Sequence, residues 1–385
     1  MKFRKCKLSE LGEIVGGATP STKNKFNYGG NISWITPKDL TNLKGRFINR
    51  GERNITKEGF ENSSTKMLPI NSVLFSSRAP IGYIAINNMN EVCTNQGFKS
   101  IIPNDKINYM FLYYLLKFNK DRIESLGSGT TFKEISGAVM KNIVVSIPEN
   151  KNDQLKIAKV LSKIDEKIEL NTHINNNLYE IMKRIFDNWV NNLDNYEESS
   201  LSKIANYING LAMQKYRAKN EIGLPVIKIK EMNEGITDNT ERCSSNIKED
   251  YIIEDGDILF AWSGTLCMTI WAQGKSGLNQ HIFKVQSTKF PKWFYYLWTE
   301  YYLGKFVEIA AGKATTMGHI KRKELDTAKV KIPIKKEMDK MDRIMQPMLD
   351  KYINNKINNE TLKQVRDTLL PKLMNGEIDL DKIEI

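Results

Sequence analysis

Between residues 152 and 190, apolar side chains recur at every seventh position. Ile157, Ile164, Leu178 and Ile185 form one track, and Leu161, Ile168, Met182 and Trp189 the other. Only a seven-residue spacing keeps a single stripe turned toward a partner helix over several heptads, so the pattern predicts a coiled-coil seam. No Pro or Gly interrupts it, and at 1.5 Å per residue the helix would be roughly 50–60 Å long. Asn171 and Asn175 interrupt the two tracks at mid-length. An asparagine inside a seam costs stability but fixes register.

The partner seam lies in the same chain. A shift of 184 takes Ile157 to Met341, Leu161 to Met345, Ile164 to Met348 and Ile168 to Tyr352. Asn171 and Asn175 become Asn355 and Asn359, so the polar interruption recurs in register; Leu178, Ile185 and Trp189 become Leu362, Leu369 and Leu373. Met182 is the exception, because Arg366 takes its place. Pro347 falls inside the second pattern and predicts a kink or a late helix start.

The sequence outside the helices is duplicated too. Leu8-Ser9 and Leu201-Ser202 open two blocks, and Val73-Leu74-Phe75 returns as Ile258-Leu259-Phe260 at a shift of 185. Asn95-Gln96 returns as Asn279-Gln280, Thr130-Thr131 as Thr315-Thr316, and Ile147-Pro148 as Ile332-Pro333, at shifts of 184 or 185. One offset held across the chain marks a tandem duplication of a block plus a helix, which suits pseudo-twofold symmetry within one chain. Antiparallel helices would bring the Asn pairs together at mid-length, with the blocks at the two ends of a stiff spacer. The first block predicts strands over 32–35, 72–75, 82–86, 99–103 and 143–147, and a packed helix over 109–126.

The expected architecture is α+β: two pseudo-twofold-related α/β domains separated by two long antiparallel helices forming a coiled coil. The boundaries are block 1–150, helix 151–195, block 196–335, helix 336–376 and tail 377–385. The expected seam comprises Ile157, Leu161, Ile164, Ile168, Asn171, Asn175, Leu178 and Ile185 against Met341, Met345, Met348, Tyr352, Asn355, Asn359, Leu362 and Leu369.

The net charge of +12 is unevenly placed. Residues 1–150 carry 21 Lys/Arg against 12 Asp/Glu, and residues 201–334 carry 19 against 14, so most of the excess sits in the blocks rather than on the helices. A basic globular block is the footprint of a polyanion binder, although a merely soluble basic surface would carry the same charge. Four scattered cysteines without a CxxC, and only three histidines, argue for reduced thiols and no structural zinc. His173, His281 and His319 are far apart in sequence. No secretory leader and no 18-residue apolar run is visible, so a cytoplasmic protein without membrane contact is expected. No Gly-rich loop ending in Gly-Lys-Ser/Thr is present.

An ordered set of short motifs resembles the DNA-specificity (S) subunit of bacterial type I restriction–modification enzymes, over nearly the whole chain. In the first block these are Gly16-Gly17-Ala18-Thr19-Pro20-Ser21, Trp34-Ile35-Thr36-Pro37-Lys38-Asp39-Leu40, Ser76-Ser77-Arg78-Ala79-Pro80-Ile81-Gly82, Thr94-Asn95-Gln96-Gly97-Phe98 and Ser128-Gly129-Thr130-Thr131. On the helices they are Leu161-Ser162-Lys163-Ile164-Asp165-Glu166-Lys167-Ile168-Glu169 and Leu370-Pro371-Lys372-Leu373-Met374-Asn375-Gly376-Glu377-Ile378. The second block departs from the pattern, with Asn209-Gly210-Leu211-Ala212 for the Gly-Gly loop and Ala261-Trp262-Ser263-Gly264 for the Ser-Ser-Arg run. Such differences fit two readers of different half-sites.

The resemblance implies that each block is a target-recognition domain for one half of a split sequence in double-stranded DNA, and that the helices set the gap. It implies docking of two methyltransferase (modification) subunits, and a restriction nuclease–translocase subunit that joins for cleavage. No cofactor is then expected on this chain: S-adenosylmethionine belongs to the methyltransferase partner, and ATP and Mg to the nuclease–translocase. The chain also lacks an Asn-Pro-Pro-Tyr run of the kind such methyltransferases use for a flipped base, and it is not expected to be an enzyme by itself.

Loops between strands are the natural readers, since phosphate contacts position a protein and base-edge contacts specify sequence. The candidates in the first block are Thr19, Ser21, Lys23, Lys25, Lys38, Ser76, Ser77, Arg78, Thr130, Thr131 and Lys133. Arg78 suits guanine O6/N7, and the lysines and hydroxyls suit phosphates. The second block offers Gln214, Lys215, Arg217, Lys228, Lys230, Trp262, Ser263, Thr265, Thr315, Thr316, Lys321 and Arg322. The Thr pairs also suit turn caps, and Asn95-Gln96 and Asn279-Gln280 look more like backbone-bonding turn residues than base readers. One alternative is a coiled-coil nucleic-acid-binding scaffold without sequence specificity; another is a fused nuclease or methyltransferase, for which no cofactor or metal motif is visible.

Overall fold

A computed structural model describes residues 1–380 except 42, 44, 79, 130–132, 220, 221 and 313–317. Residues 1–170 with 362–385 form one compact unit, and residues 171–361 form another, so each unit takes part of each long helix.

In the first unit, strand Phe3–Lys7 pairs antiparallel with Val144–Pro148. A five-stranded sheet runs Gly12–Gly16, Lys99–Pro103, Val73–Phe75, Ile84–Asn87, Phe47–Ile48, and a three-stranded sheet runs Arg53–Ile55, Tyr28–Ile35, Val92–Thr94. The second unit repeats the plan. Tyr196–Ser200 pairs with Lys329–Pro333. One four-stranded sheet runs Asn206–Asn209, Ile282–Gln286, Ile258–Ala261, Cys267–Ile270, and another runs Arg242–Cys243, Leu224–Ile227, Ser276–Leu278, Ile252–Ile253. In each copy the smaller or second sheet carries one parallel pair, Ile35 beside Thr94 and Ile227 beside Leu278. A parallel step needs a crossover connection, so its recurrence marks common topology rather than two convergent hairpins.

Several boundaries differ from the sequence reading. The strand expected over 82–86 begins at Ile84, because Gly82 turns with φ +90°. The helix expected over 109–126 is two helices, Tyr109–Phe118 and Lys120–Ser125. Asn119 divides them by folding its side-chain amide back onto the Leu115 carbonyl at 2.8 Å. The second copy keeps one unbroken helix there, Lys292–Gly312. Pro347 produces no late start: the helix runs Lys335–Met374. Pro347 and Arg343 are both exposed, so water can reach the carbonyl that the missing N–H leaves unbonded.

The first long helix spans Lys151–Asn191. None of the sixteen expected seam residues is exposed. In the first unit Ile157 and Leu161 share a core with Leu370 and Leu373. In the second, Met182, Phe186 and Val190 share one with Met345 and Leu349. Ascending positions on one helix meet descending positions on the other, so the helices are antiparallel. The asparagines fix that register within the second unit. Asn171 donates to Asn359 Oδ1 at 2.9 Å, Asn355 donates to Asn175 Oδ1 at 2.9 Å, and Asn175 donates to the Tyr352 carbonyl at 2.9 Å.

The Met182–Arg366 mismatch has a physical basis. Arg366 reaches Asp165 Oδ1 at 2.8 Å, and Asp165 Oδ2 accepts from Tyr114 Oη at 2.7 Å. The residue one offset after Asp165 is Leu349, fully buried in the apolar cluster that also holds Met182. Both members of the pair changed character together. Nearby, Arg46 is 3 % exposed and is gripped by both Glu169 oxygens at 3.0 Å. Burial alone would push the Arg46 guanidinium down, but its hydrogen bonds to Glu169, with Tyr114 and Asp165 alongside, hold it above its ordinary value.

Candidate nucleic-acid interfaces

Five loops of the first unit are drawn together by backbone hydrogen bonds. Ala18 N–H donates to Thr94 O at 3.0 Å, Asn95 N–H to Ile35 O at 3.0 Å, Ser77 N–H to Gly97 O at 2.7 Å, and Ile135 N–H to Ser77 O at 2.8 Å. The second unit repeats three of these at the duplicated positions. Leu211 N–H donates to Leu278 O at 2.9 Å, Trp262 N–H to His281 O at 3.2 Å, and Ile320 N–H to Trp262 O at 3.1 Å. Glycine permits the closest approach in both copies. A Cβ on Gly17 would lie 2.1 Å from the Thr94 carbonyl oxygen, and one on Gly210 would lie 2.2 Å from that of Asn279.

In the first cluster Thr19, Ser21, Lys23, Lys25, Lys38, Arg78 and Lys133 are all exposed. The Thr19 hydroxyl bonds Gln96 Oε1, Lys38 pairs with Glu52 at 3.0 Å, and Arg78 Nε pairs with Glu134 at 2.9 Å. Lys23, Lys25 and Lys133 form no ion pair with another described residue. Ser76 and Ser77 are not available to DNA: both are fully buried. Ser76 Oγ donates to Pro80 O and accepts from Tyr83 N–H, closing the turn after the Val73–Phe75 strand. Thr130 and Thr131 lie outside the described residues.

The second cluster contains a groove of about 490 Å³ lined by Gln214, Arg217, Lys228, Lys230, Gln280 and His281, among others. It therefore joins four of the expected residues, which come from two separate stretches of chain. Lys215 is exposed on the same short turn as Gln214. Lys228 Nζ holds Glu241 at 2.6 Å, and that hydrogen bond and charge keep the Glu241 carboxyl below its ordinary value. Lys230 is exposed and corresponds to Lys38, each three residues beyond the last residue of its parallel strand pair. Trp262 is half-buried, stacks on Phe283 at 5.7 Å and donates from Nε1 to Asn209 Oδ1 at 2.8 Å. His281 and His319 both lie against its ring, so two histidines distant in sequence converge there.

Ser263 is buried and is removed from the candidates, since it pairs as a β-bridge with His319. Thr265 is exposed. Arg322 is exposed, and it donates to the Tyr207 carbonyl at 3.1 Å and lies over the Phe283 ring. The Lys321 backbone N–H caps the next helix through Glu324, and its side chain stays exposed. Thr315 and Thr316 lie outside the described residues.

Asn95 and Asn279 are turn residues, as expected: their Oδ1 atoms accept from Gly97 N–H and His281 N–H. The glutamines beside them are different. Gln280 lines the groove and approaches His281 Nε2 at 3.2 Å, and Gln96 meets Thr19 at the matching place. Recurrence of a Gln at one offset was the available signal.

The model of the type I restriction modification DNA specificity domain matches the chain twice, over residues 2–180 and 194–366. The chain belongs to the type I restriction–modification specificity subunits. It is 32 % identical over 410 residues to the MjaIX specificity subunit of Methanocaldococcus jannaschii, covering 98 % of this chain and 94 % of that one. It is 31 % identical over 170 residues to the EcoR124I/EcoR124II specificity subunit of Escherichia coli, covering 41 % and 40 % of the two chains. Its fold is shared by the crystal structure of a type I S subunit from M. genitalium, with TM-score 0.54, 19 % identity and coverage of 97 % and 96 %. A specificity subunit supplies recognition rather than catalysis, and it acts within a complex with other subunits. The two matched segments coincide with the two loop-bearing halves of the duplication, so this specificity subunit carries two target-recognition domains. No described helix is long and apolar enough to cross a membrane.

Proposed function

We propose that each loop cluster reads one half of a bipartite sequence in double-stranded DNA. The groove carries this reading. It combines cations, which suit phosphates, with the amide ends of Gln214 and Gln280, which suit the N6/N7 edge of adenine. In the first domain Lys23, Lys25 and Lys133 supply the phosphate contacts, and Arg78 and Gln96 are the base-facing groups. The long helices set the gap between half-sites and dock two methyltransferase subunits, to which a nuclease–translocase adds for cleavage. S-adenosylmethionine would be held by the first partner, and ATP and Mg by the second. Four free cysteines, three of them buried, suit a reducing cytoplasm.

The test replaces residues 1–150 with the corresponding block of another specificity subunit and maps methylated sites in host DNA. One half-site should change and the other stay. Change in both halves, or in neither, overturns the assignment of one reader per domain. The spacer role is tested by adding one heptad to both helices, because the Asn171–Asn359 and Asn175–Asn355 bonds tie their registers together. The gap should lengthen with both halves unchanged; an unchanged gap overturns the spacer role.

A further inference from the structure

We propose that Asp165 and Arg366 form a pairing code that makes the first long helix accept the second and reject a copy of itself. A duplicated block-plus-helix invites like-with-like association, because either helix offers nearly the same seam to the other. The offset of 184 converts this into specific contacts. Where two first halves meet, Met182 of one copy takes the place of Arg366 and faces Asp165 of the other. Where two second halves meet, Arg366 of one copy takes the place of Met182 and faces Leu349.

Each mismatch takes the ion-pair partner across the seam away from a buried or half-buried group. Asp165 is 4 % exposed, and its Oδ1 bonds Arg366 at 2.8 Å. With methionine opposite, Oδ1 loses that bond, while Oδ2 still accepts from Tyr114 at 2.7 Å and Lys117 remains a neighbouring charge. In the other mismatch, Arg366 enters the cluster of Leu349, Phe186 and Trp298, where Leu349 is fully buried. Asp367, which pairs with Arg366 Nε at 2.8 Å, travels on the same helix and stays with it, so what Arg366 loses inside that cluster is its bond from Nη1 to Asp165. Removing one partner of a buried ion pair costs far more than the intact pair contributes. Within the helix-to-helix seam, Asn171 and Asn175 recur as Asn355 and Asn359 and apolar residues replace apolar ones, although Tyr179 and Trp189 of the first helix also meet Glu300 and Trp293 of the second block. The charge pair therefore biases the two helices of one chain toward each other and against exchange with a second copy. Like pairs would combine two copies of one reader.

The test uses the intact chain, folded and then cut at a protease site placed in the exposed turn at residues 192–195. Native mass spectrometry separates the three possible pairs of halves after long incubation at low concentration. The wild type should stay mixed, with like pairs on the order of a hundredfold or more below the statistical share, the bias expected from one stranded buried charge. Two single variants give crossed outcomes. Asp165→Leu should release pairs of first halves only, because leucine faces Met182 there as Leu349 does in the native chain. Arg366→Met should release pairs of second halves only. If one variant fails to fold, the other carries the test. Like pairs appearing in the wild type, or both kinds appearing equally in either single variant, overturn the code.

Discussion

Replacing Gly210 with alanine should abolish recognition by the second domain while sparing the first. An alanine Cβ would lie 2.2 Å from Asn279 O and 2.3 Å from Leu278 O, so the 209–212 loop must move away by about 1 Å to restore ordinary contact. That displacement stretches two bonds beyond hydrogen-bond range: Leu211 N–H to Leu278 O and Gln280 N–H to Leu211 O, both now 2.9 Å. Losing them costs about 1 kcal/mol each, and residual overpacking adds about 1–3 kcal/mol. The loop that leads into Gln214 then no longer sits against the turn carrying Gln280, and preorganisation of the groove is lost. If binding must restore the two lost bonds, about 2 kcal/mol, affinity for cognate DNA should fall about 30-fold at 1.4 kcal/mol per decade. The assay is competition anisotropy with cognate DNA and with DNA scrambled in one half-site or the other. In Gly210→Ala, scrambling the second half-site should no longer matter, while scrambling the first should matter as before. Equal loss of both discriminations, or retention of both, refutes the link between the glycine contact and reading. Gly17→Ala, whose Cβ meets Thr94 O at 2.1 Å, should produce the mirror result.

Other outcomes follow from single side chains. Glu169→Ala leaves Arg46 buried without its partner and should cost about 3–5 kcal/mol, read as a fall in the urea midpoint; Arg46→Met with Glu169→Leu should recover most of it. Charge removal at Lys228 and Lys230 together should flatten the plot of log affinity against log salt by about 0.9 for each phosphate that is no longer neutralised, measured by anisotropy at several salt concentrations. The Lys117 ammonium is pushed down to about 8, first by burial and then by Arg366. Its folded pKa lies below its unfolded one, so the unfolded chain binds more protons between those values and stability rises with pH through that window. Urea midpoints from pH 8 to 10 should climb in the wild type and stay flatter in Lys117→Met. Above pH 10 the buried Tyr113 and Tyr114, held above their ordinary values chiefly by burial, oppose the trend.

The helices are legible because a seam is written in the chain itself. Heptad spacing fixes which residues are buried, and the recurring Asn pair fixes register, so Asn171 can be matched to its partner helix from the sequence alone. The domains are legible as a repeat but not as sheets, since short strands such as Phe47–Ile48 carry too few residues to show alternation. The DNA-facing candidates are least legible. Ser76 and Ser77 look like loop hydroxyls in sequence, yet the chain returns through them to close the five-stranded sheet, and their burial follows from partners at Gly97 and Ile135. Arg322 is a surface cation that also holds the Tyr207 carbonyl, a second task its sequence does not show. Gln280 is grouped with Asn279 as a turn residue in sequence, although it is the asparagine side chain that bonds the turn and the glutamine lines the groove.

These failures share a cause. What the duplication preserves at the loop clusters is mainly backbone bonding, with demands on residue type at Gly17 and Gly210 and at Asn95 and Asn279 but not at most other positions. Ser77 N–H to Gly97 O and Trp262 N–H to His281 O are the same bond, made by a serine in one domain and a tryptophan in the other. A scaffold held in this way can change Ser77 to Trp262, or Gly97 to His281, without altering the loops around them. Freedom of that kind lets one architecture present two different reading surfaces. It also removes the sequence pattern that would identify the readers. The long helices are the opposite case: there the side chains themselves form the contacts, so Asp165 could not drift to leucine unless Arg366 changed with it, as Leu349 and Met182 illustrate in the other copy.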